Sequence, residues 1–176
     1  MATTWTLDPT HSELQFKVKH LMITNVTGTF KNFDLAVETD SADFKHANKI
    51  EFTADINSID TNNEQRDTHL KSADFFDAAS HPELKFVSTK MEKVDGENFV
   101  LLGNLTIREV TKPVKFDVTY GGTINTGRGE KAGFKIVGKI NRQDYGLTWS
   151  NKTPTGELVV GDEVDIIGKI ELDKKA

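Results

Sequence analysis

The sequence lacks cysteine and long hydrophobic runs, and each absence excludes a class of protein. With no cysteine in its 176 residues, the chain forms neither disulfides nor thiolate metal sites. No apolar run approaches the ~18 residues of a membrane-spanning helix, so we expect no stable membrane insertion. Lys and Arg number 22 against 27 acidic residues, and the net charge of -5 argues against a nucleic-acid partner.

Motifs for metal binding and for common catalytic sites are also missing. The five histidines are His11, His20, His46, His69 and His81, and none of them pair at the close spacings of local metal ligands. The chain has no G-x-S-x-G motif, no Walker loop and no G-x-G-x-x-G. We therefore predict no catalytic residues, no metal site and no cofactor.

The length suits a single domain over residues 1–176, which would bury roughly 70% of the surface of its unfolded chain. The first ten residues, MATTWTLDPT, have neither the basic nor the apolar segment of a secretory signal. We accordingly expect a cytoplasmic protein, or a periplasmic one if a leader has been removed.

Short stretches in which apolar and polar residues alternate fill most of the chain. In ELQFKVKH, for example, Leu14, Phe16 and Val18 share one face, opposite polar side chains. Turn sequences such as Asp95-Gly96 separate the stretches. About eight such strands, joined by hairpin-length breaks, predict an all-β fold, either an antiparallel barrel or a sandwich.

Residues from about 61 to 79 interrupt the alternation and predict a short helical lid. Thr61 and Glu64 have the spacing of a capping box, in which each side chain bonds to a free amide of the first turn. Arg66 and His69 then fall on one helical face together with apolar residues. We expect this face to point at the barrel.

Several strands place their smallest residue in phase with their apolar side chains: Ala54, Gly103, Gly138 and Gly168, with Gly28 in a similar position. Such residues can mark bulges or barrel closure, or make room for large rings from neighbouring strands. Alternatively, they leave one level of the barrel unfilled and so create a cavity for one slender ligand. In that case we expect Gly138→Leu or Gly168→Leu to abolish ligand uptake without unfolding the barrel.

The cavity predicted in this way has apolar walls, which suit a hydrocarbon chain better than a sugar or a nucleotide. Strands and lid together supply the residues that we expect to line it. They are Phe16, Phe30, Phe52, Ala54, Leu70, Phe75, Phe76, Phe86, Gly103, Leu105, Phe116, Phe134, Gly138, Trp149 and Gly168.

Two arginines and a histidine are candidates for orienting a ligand at the entrance of the cavity. Arg66 and His69 lie on the inner face of the lid, and Arg142 extends the apolar phase of its strand to the strand end. Arginine binds planar phosphate or carboxylate groups with two parallel hydrogen bonds. Ion pairs at the surface are the alternative for both arginines, with a neighbouring carboxylate such as Glu64 or Asp67 for Arg66 and with Asp144 for Arg142.

Five blocks of sequence extend over essentially the whole chain: WTLDPTHSELQFKVKH, SIDTNNEQRDTHLKSADFFDAASHPELKF, GNLTIREVTKPVKF, INRQDYGLTW and GDEVDI. In this order they resemble the signature blocks of the YceI-like family, the lipocalin-like polyisoprenoid-binding proteins of bacteria. The blocks RD-x-HL-x-SADFFD and LTIR-x-VTKPV are quite specific.

The resemblance implies an eight-stranded antiparallel barrel around a long apolar cavity, with a helix over the barrel. It also implies a polyprenyl chain or a comparable amphiphile as the ligand, and a chain that can form a homodimer. Arg66, Asp67 and His69 fall in the family's RD-x-H block, and Arg142 and Asp144 in its R-x-D block. The resemblance implies entrance or framework roles for these five residues.

Members of the family are mostly carriers or binders. We therefore expect non-enzymatic binding, sequestration or transport of an isoprenoid-like amphiphile: a polyprenyl phosphate, a quinone or a fatty-acid derivative. One alternative is a lipid-modifying enzyme, with His69 as general base and Arg66 or Arg142 stabilising anionic charge. Another is a structural or protein-interaction barrel with a filled core.

Overall fold

The computed structural model describes residues 3–21, 23–40, 44, 47–149, 154 and 160–175, so His46 lies outside the described residues. A single α-helix, α1 (Glu64–Lys71), and three short 3-10 helices (Pro9–His11, Ile56–Ser58 and Arg142–Tyr145) occur in these ranges. The strands of the same ranges are β1 (Thr3–Leu7), β2 (Glu13–His20), β3 (Thr24–Phe30), β4 (Phe33–Thr39), β5 (Ala47–Asp55), β6 (Ile59–Asp60), β7 (Glu83–Asp95), β8 (Asn98–Ile107), β9 (Val110–Asn125), β10 (Glu130–Asn141) and β11 (Val160–Lys174).

These strands form a closed antiparallel barrel of eight. β1, β4, β5, β7, β8, β9, β10 and β11 pair in this order, and β11 pairs back with β1. The remaining strands, β2, β3 and β6, extend the same sheet from β11. β2 pairs with β11 and with β3, and β3 pairs with β6. The predicted eight-stranded barrel is thereby confirmed, and the alternative of a sandwich is wrong.

Side-chain-capped turns bend two of the barrel strands. Asp8 accepts a hydrogen bond from the Thr10 amide and begins the first 3-10 helix, where Pro9 also favours the turn. Asp55 accepts one from the Asn57 amide in the same way. These caps pair amides that the bends would otherwise leave without a partner.

The two ends of the barrel are closed differently. At one end Trp5, Phe44, Tyr120 and Phe134 form an aromatic cluster with ring centroids between 4.7 and 5.7 Å apart. At the other end, α1 and the segment 142–149 contribute side chains to the interior. No helix in the described ranges is long and apolar enough to cross a membrane.

The helical lid is shorter than the predicted 61–79 and has a different cap. Asn63 is the N-cap, and its side chain accepts from the Arg66 amide at 3.0 Å, so the predicted capping box is wrong. Thr61 is instead buried, and both its amide and its hydroxyl donate to the Asp67 carboxylate. Turns follow the helix as far as residue 80.

Phenylalanine rings occupy the space that three of the in-phase glycines leave. The pairs are Phe16 on Gly28, Phe86 on Gly103 and Phe116 on Gly138, where an added Cβ atom would lie 2.3, 2.5 and 2.4 Å from the ring. Packing an aromatic ring over a glycine of a neighbouring strand compensates for the missing side chain. These glycines therefore make room for rings, which was one of the alternatives.

The expectation of an unfilled level at the small residues needs correction. Gly103 and Gly138 lie behind rings, and Ala54, which is 1% exposed, is part of the packed core. Gly168 differs, because an added Cβ would meet nothing closer than 3.5 Å. It lines a cavity, whose walls are otherwise formed mainly by large apolar side chains.

Candidate functional site

The barrel interior contains two adjoining apolar cavities. The deep chamber, toward the aromatic cluster, has a volume of about 120 Å³, and the outer chamber, beside α1, has one of about 270 Å³. Of the predicted lining residues, the deep chamber has Phe16, Phe30, Phe52, Phe86, Leu105, Phe116, Phe134 and Gly168. The outer chamber has Phe16, Phe30, Leu70, Phe75, Phe76 and Trp149. Ala54, Gly103 and Gly138 are not among the residues that line these chambers.

Four residues line both chambers and form a partition between them: Phe16, Phe30, Leu84 and Ile166. Sequence reasoning missed Leu84 and Ile166, although each follows the apolar phase of its strand and could have been found from it. It also missed Lys19 and His20 of the outer chamber. Alternation gives no signal for Lys19, because it is out of phase with the apolar residues of β2.

The ionisable residues that line the outer chamber are all basic ones. Lys19, His20, Arg66, His69 and Arg142 contribute to its lining, and no acidic residue of the described chain does. Among the described residues that line the deep chamber, only Gln15 is polar. The interior is thus apolar at one end and bordered by basic groups at the other.

Arg142 is 3% exposed and makes hydrogen bonds with all three guanidinium nitrogens. Its Nε and Nη2 donate to carbonyls at the start of β11, and Nη1 donates to two carbonyls of the segment that follows β10. The acceptors are Gly161, Val160, Leu147 and Trp149, at 2.9, 3.3, 2.6 and 2.7 Å. Arg142 is therefore a framework residue that joins two segments at the outer chamber.

The charge of Arg142 is balanced by Asp162, whose carboxylate lies 3.5 Å from Nη2. Burial lowers the pKa of Arg142 below its ordinary value, while Asp162 opposes this shift. The alternative of an ion pair between Arg142 and Asp144 is wrong, because the partner is Asp162. Asp144 is exposed and lines neither chamber. Burial, together with the charge of Asp144, raises the pKa of the adjacent Tyr145 to about 12.

Arg66 uses only two of its three guanidinium nitrogens in hydrogen bonds with the protein. Its Nε donates to the Thr61 hydroxyl at 2.8 Å and its Nη2 to the Thr61 carbonyl at 2.6 Å. Within the described chain, Nη1 has no hydrogen-bonding partner and no carboxylate lies within ion-pair distance of Arg66. The alternative of an ion pair with Glu64 or Asp67 is therefore wrong. Asp67 lines neither chamber and acts indirectly, since it holds the Thr61 side chain that orients Arg66.

His69 is fixed in an aromatic surrounding at the same chamber. Its Nε2 lies 2.9 Å from the Asp74 carboxylate. Its ring meets Trp149 and Phe75 edge to face, with centroids 4.8 and 5.0 Å away. These contacts set the orientation of the imidazole and make it part of the chamber wall.

Outside the chambers, Asp8, His11 and Glu171 bring one possible metal-ligand atom each within 4.8 Å of one another. The Lys131 ammonium lies in the same group, where it donates to Asp8, lies 2.9 Å from Asp173 and lies 3.8 Å from Glu171. Because the ammonium already pairs with these carboxylates, we interpret the group as an ion-pair network of the barrel wall.

Known proteins resemble this chain in sequence and in fold. A family model described as a YceI-like domain matches residues 5–172. UPF0312 proteins of Staphylococcus epidermidis and Staphylococcus aureus are 39% and 37% identical over 166 residues, which is 92% of this chain and of theirs.

Solved structures show the same architecture. The YceI protein of Campylobacter jejuni superposes with a TM-score of 0.78 at 35% identity, over 90% of each chain. BcnA of Burkholderia cenocepacia gives 0.81 at 25% identity, over 94% of this chain and 98% of BcnA. A polyisoprenoid-binding domain from Saccharophagus degradans shares the fold at 15% identity, with a TM-score of 0.70 over 97% and 98% of the chains. The chain belongs to the YceI-like family.

Proposed function

We propose that the protein binds an isoprenoid-like amphiphile with a single apolar chain and an acidic head group, and that it carries or sequesters this lipid without transforming it. The chain of the lipid lies in the outer chamber and its head group lies beside Arg66. The observation that supports this proposal is the outer chamber itself, where an apolar wall ends at a guanidinium with unused donors.

The surroundings of Arg66 favour a phosphate or a carboxylate over an uncharged head group. Arg142 is committed to four backbone carbonyls, so Arg66 is the arginine with N–H groups to offer. Hydrogen bonds between a guanidinium and an anion are about twice as strong as neutral ones. Lys19 contributes a further cationic residue to the same lining, in which no acidic residue of the described chain occurs.

The hydrocarbon chain of the lipid contributes most of the binding free energy. Burying ~200 to 300 Å² of hydrocarbon at ~25 cal/mol/Å² contributes about 5 to 8 kcal/mol before ordering costs. The Saccharophagus degradans domain is described as polyisoprenoid-binding. We propose a related ligand for this chain on the basis of its own apolar chambers.

Binding of farnesyl phosphate and of farnesol, measured by calorimetry, tests the proposal. We expect saturable binding of both, with the phosphate bound about tenfold more tightly because of its charge-assisted hydrogen bonds. Arg66→Gln should remove this preference. Arg128→Gln is the matched control, since Arg128 is exposed in the β9–β10 turn and does not line either chamber.

Native mass spectrometry and lipid extraction of the purified protein give an independent result. Protein that carries no lipid and binds neither farnesyl compound would refute lipid binding. Incubation with prenyl phosphates tests the enzymatic alternative, because a released product that His69→Ala abolishes would establish catalysis instead.

A further inference from the structure

We infer that Phe16 determines the length of chain that the cavity accepts, because its ring separates the outer chamber from the deep chamber. The inference rests on the proposed function and specifies which ligands the same site takes. A chain that fits the outer chamber binds with the ring in place, whereas a longer chain must displace the ring to reach the deep chamber.

The partition is built from four strands. Phe16 comes from β2, Phe30 from β3, Leu84 from β7 and Ile166 from β11, so the partition extends across the barrel interior. The two phenylalanine rings meet with centroids 5.5 Å apart. The space beyond them is lined almost entirely by apolar side chains and therefore suits the distal end of a hydrocarbon chain.

Phe16 is the member of the partition best able to move. Phe30 and Leu84 are 6% and 9% exposed and belong to the packed core, whereas Phe16 and Ile166 are only half-buried. Ile166 is β-branched and therefore restricted to few side-chain rotamers in a strand. Phe16 has two rotatable side-chain bonds and no branch at Cβ.

Gly28 explains where the ring of Phe16 rests. Phe16 faces Gly28 on β3 and Ile166 on β11 in the strand register. A Cβ at position 28 would lie 2.3 and 2.6 Å from two ring carbons, so the ring occupies the space of the missing side chain. The ring is thus held against the wall by packing alone, which a hydrocarbon chain can replace.

The test compares the affinities of geranyl, farnesyl and geranylgeranyl phosphate, measured by calorimetry. For the wild-type protein we expect the gain in affinity per isoprene unit to fall once the outer chamber is full. For Phe16→Ala we expect geranylgeranyl phosphate to gain at least about tenfold relative to geranyl phosphate, which corresponds to burying a few additional methylenes.

Phe33→Ala is the matched control. Phe33 is a half-buried phenylalanine of β4 that packs against the core and lines neither chamber, so its truncation removes the same side-chain volume without opening the partition. We expect it to leave the dependence on chain length as in the wild type. Should Phe16→Ala fail to fold, Phe16→Leu replaces it, with a shift in the same direction.

Gly168→Leu tests whether the longer chain occupies the deep chamber. Gly168 lines only the deep chamber and has room for a Cβ, so leucine fills that chamber in a folded barrel. In the Phe16→Ala background we expect it to lower the affinity for geranylgeranyl phosphate and to leave that for geranyl phosphate unchanged.

The two proposals fail in different ways. If wild-type protein binds none of the prenyl phosphates, the proposed function fails, and the inference fails with it. If the wild type binds them, but Phe16→Ala leaves the chain-length dependence unchanged or shifts it no more than Phe33→Ala does, only the role of Phe16 is overturned.

Discussion

At the scale of single residues, aromatic rings of the barrel wall pack over glycines of neighbouring strands. Gly138 faces Phe116 directly across the β9–β10 pair, and the ring lies where a side chain of residue 138 would be. Gly168 lies opposite Ile136 on the next strand pair, without such a ring. Two in-phase glycines on neighbouring strands therefore have different roles, one in packing and one at a cavity wall.

This difference predicts that the same substitution, glycine to alanine, has unequal effects on stability at the two positions. We expect Gly138→Ala to lower the free energy of unfolding by about 2 kcal/mol, because the new methyl group overlaps the Phe116 ring. Gly168→Ala should change it by no more than about 0.5 kcal/mol, since its Cβ makes ordinary contacts. Urea denaturation of both variants measures the difference. Equal effects would show that the Phe116 ring yields without cost, and Phe116→Leu should partly restore the stability of Gly138→Ala.

At the scale of elements, the 3-10 helix Arg142–Tyr145 connects the barrel wall to the outer chamber. Asn141 caps its start by accepting from the Gln143 amide, and Gly146 ends it in the left-handed region, at φ 77°. From this helix, Arg142 reaches the carbonyls of the segment behind it and of β11. The element thereby fixes the wall that carries Trp149.

Replacing Arg142 by lysine tests this framework role. Lysine keeps the charge but cannot reproduce the fork of hydrogen bonds, so buried carbonyls lose their donors. We expect the free energy of unfolding, measured in urea, to fall by about 3 kcal/mol. Arg108→Lys is the control, because Arg108 makes one exposed bond to the Gly146 carbonyl and should cost less than about 1 kcal/mol. Similar losses in the two variants would contradict the framework role.

The sequence predicted the elements of the fold better than the detail of the site. Alternation identified the strands, and their phase identified most of the phenylalanines of the cavity walls. It could not show that rings cover Gly103 and Gly138, because that depends on the rotamers of residues on neighbouring strands. It could not distinguish Arg66 from Arg142 either, since their hydrogen-bond partners come from backbone carbonyls that a residue pattern does not reveal. Homodimer formation and the cellular compartment stay predictions.

At the scale of the whole molecule, closure of the barrel places charges from three strands together. Asp8 follows β1, Lys131 lies in β10 and Asp173 lies in β11, directly opposite Lys131. β1 closes the barrel by pairing with β11, and the Lys131 ammonium bonds to carboxylates from both sides of this junction. Hydrogen bonds with Lys131 and His11 hold the pKa of Asp8 well below its ordinary value, and those with Asp8 and Asp173 raise the pKa of Lys131.

These shifts make the stability of the closed barrel depend on pH with a defined sign. The lowered pKa of Asp8 stabilises the fold above the unfolded-state value of about 4, and this contribution is lost as the pH falls. Asp8 and Lys131 are only 12% and 28% exposed, so we expect Asp8→Asn to cost about 2 kcal/mol in urea denaturation at pH 7. The difference from wild type should shrink below about pH 4. Asp165→Asn is the control, since its pair with Lys139 is 45% and 65% exposed and should contribute less than about 0.5 kcal/mol. A difference for Asp8→Asn that stays constant into acid would show that shape, and not charge, holds this junction closed.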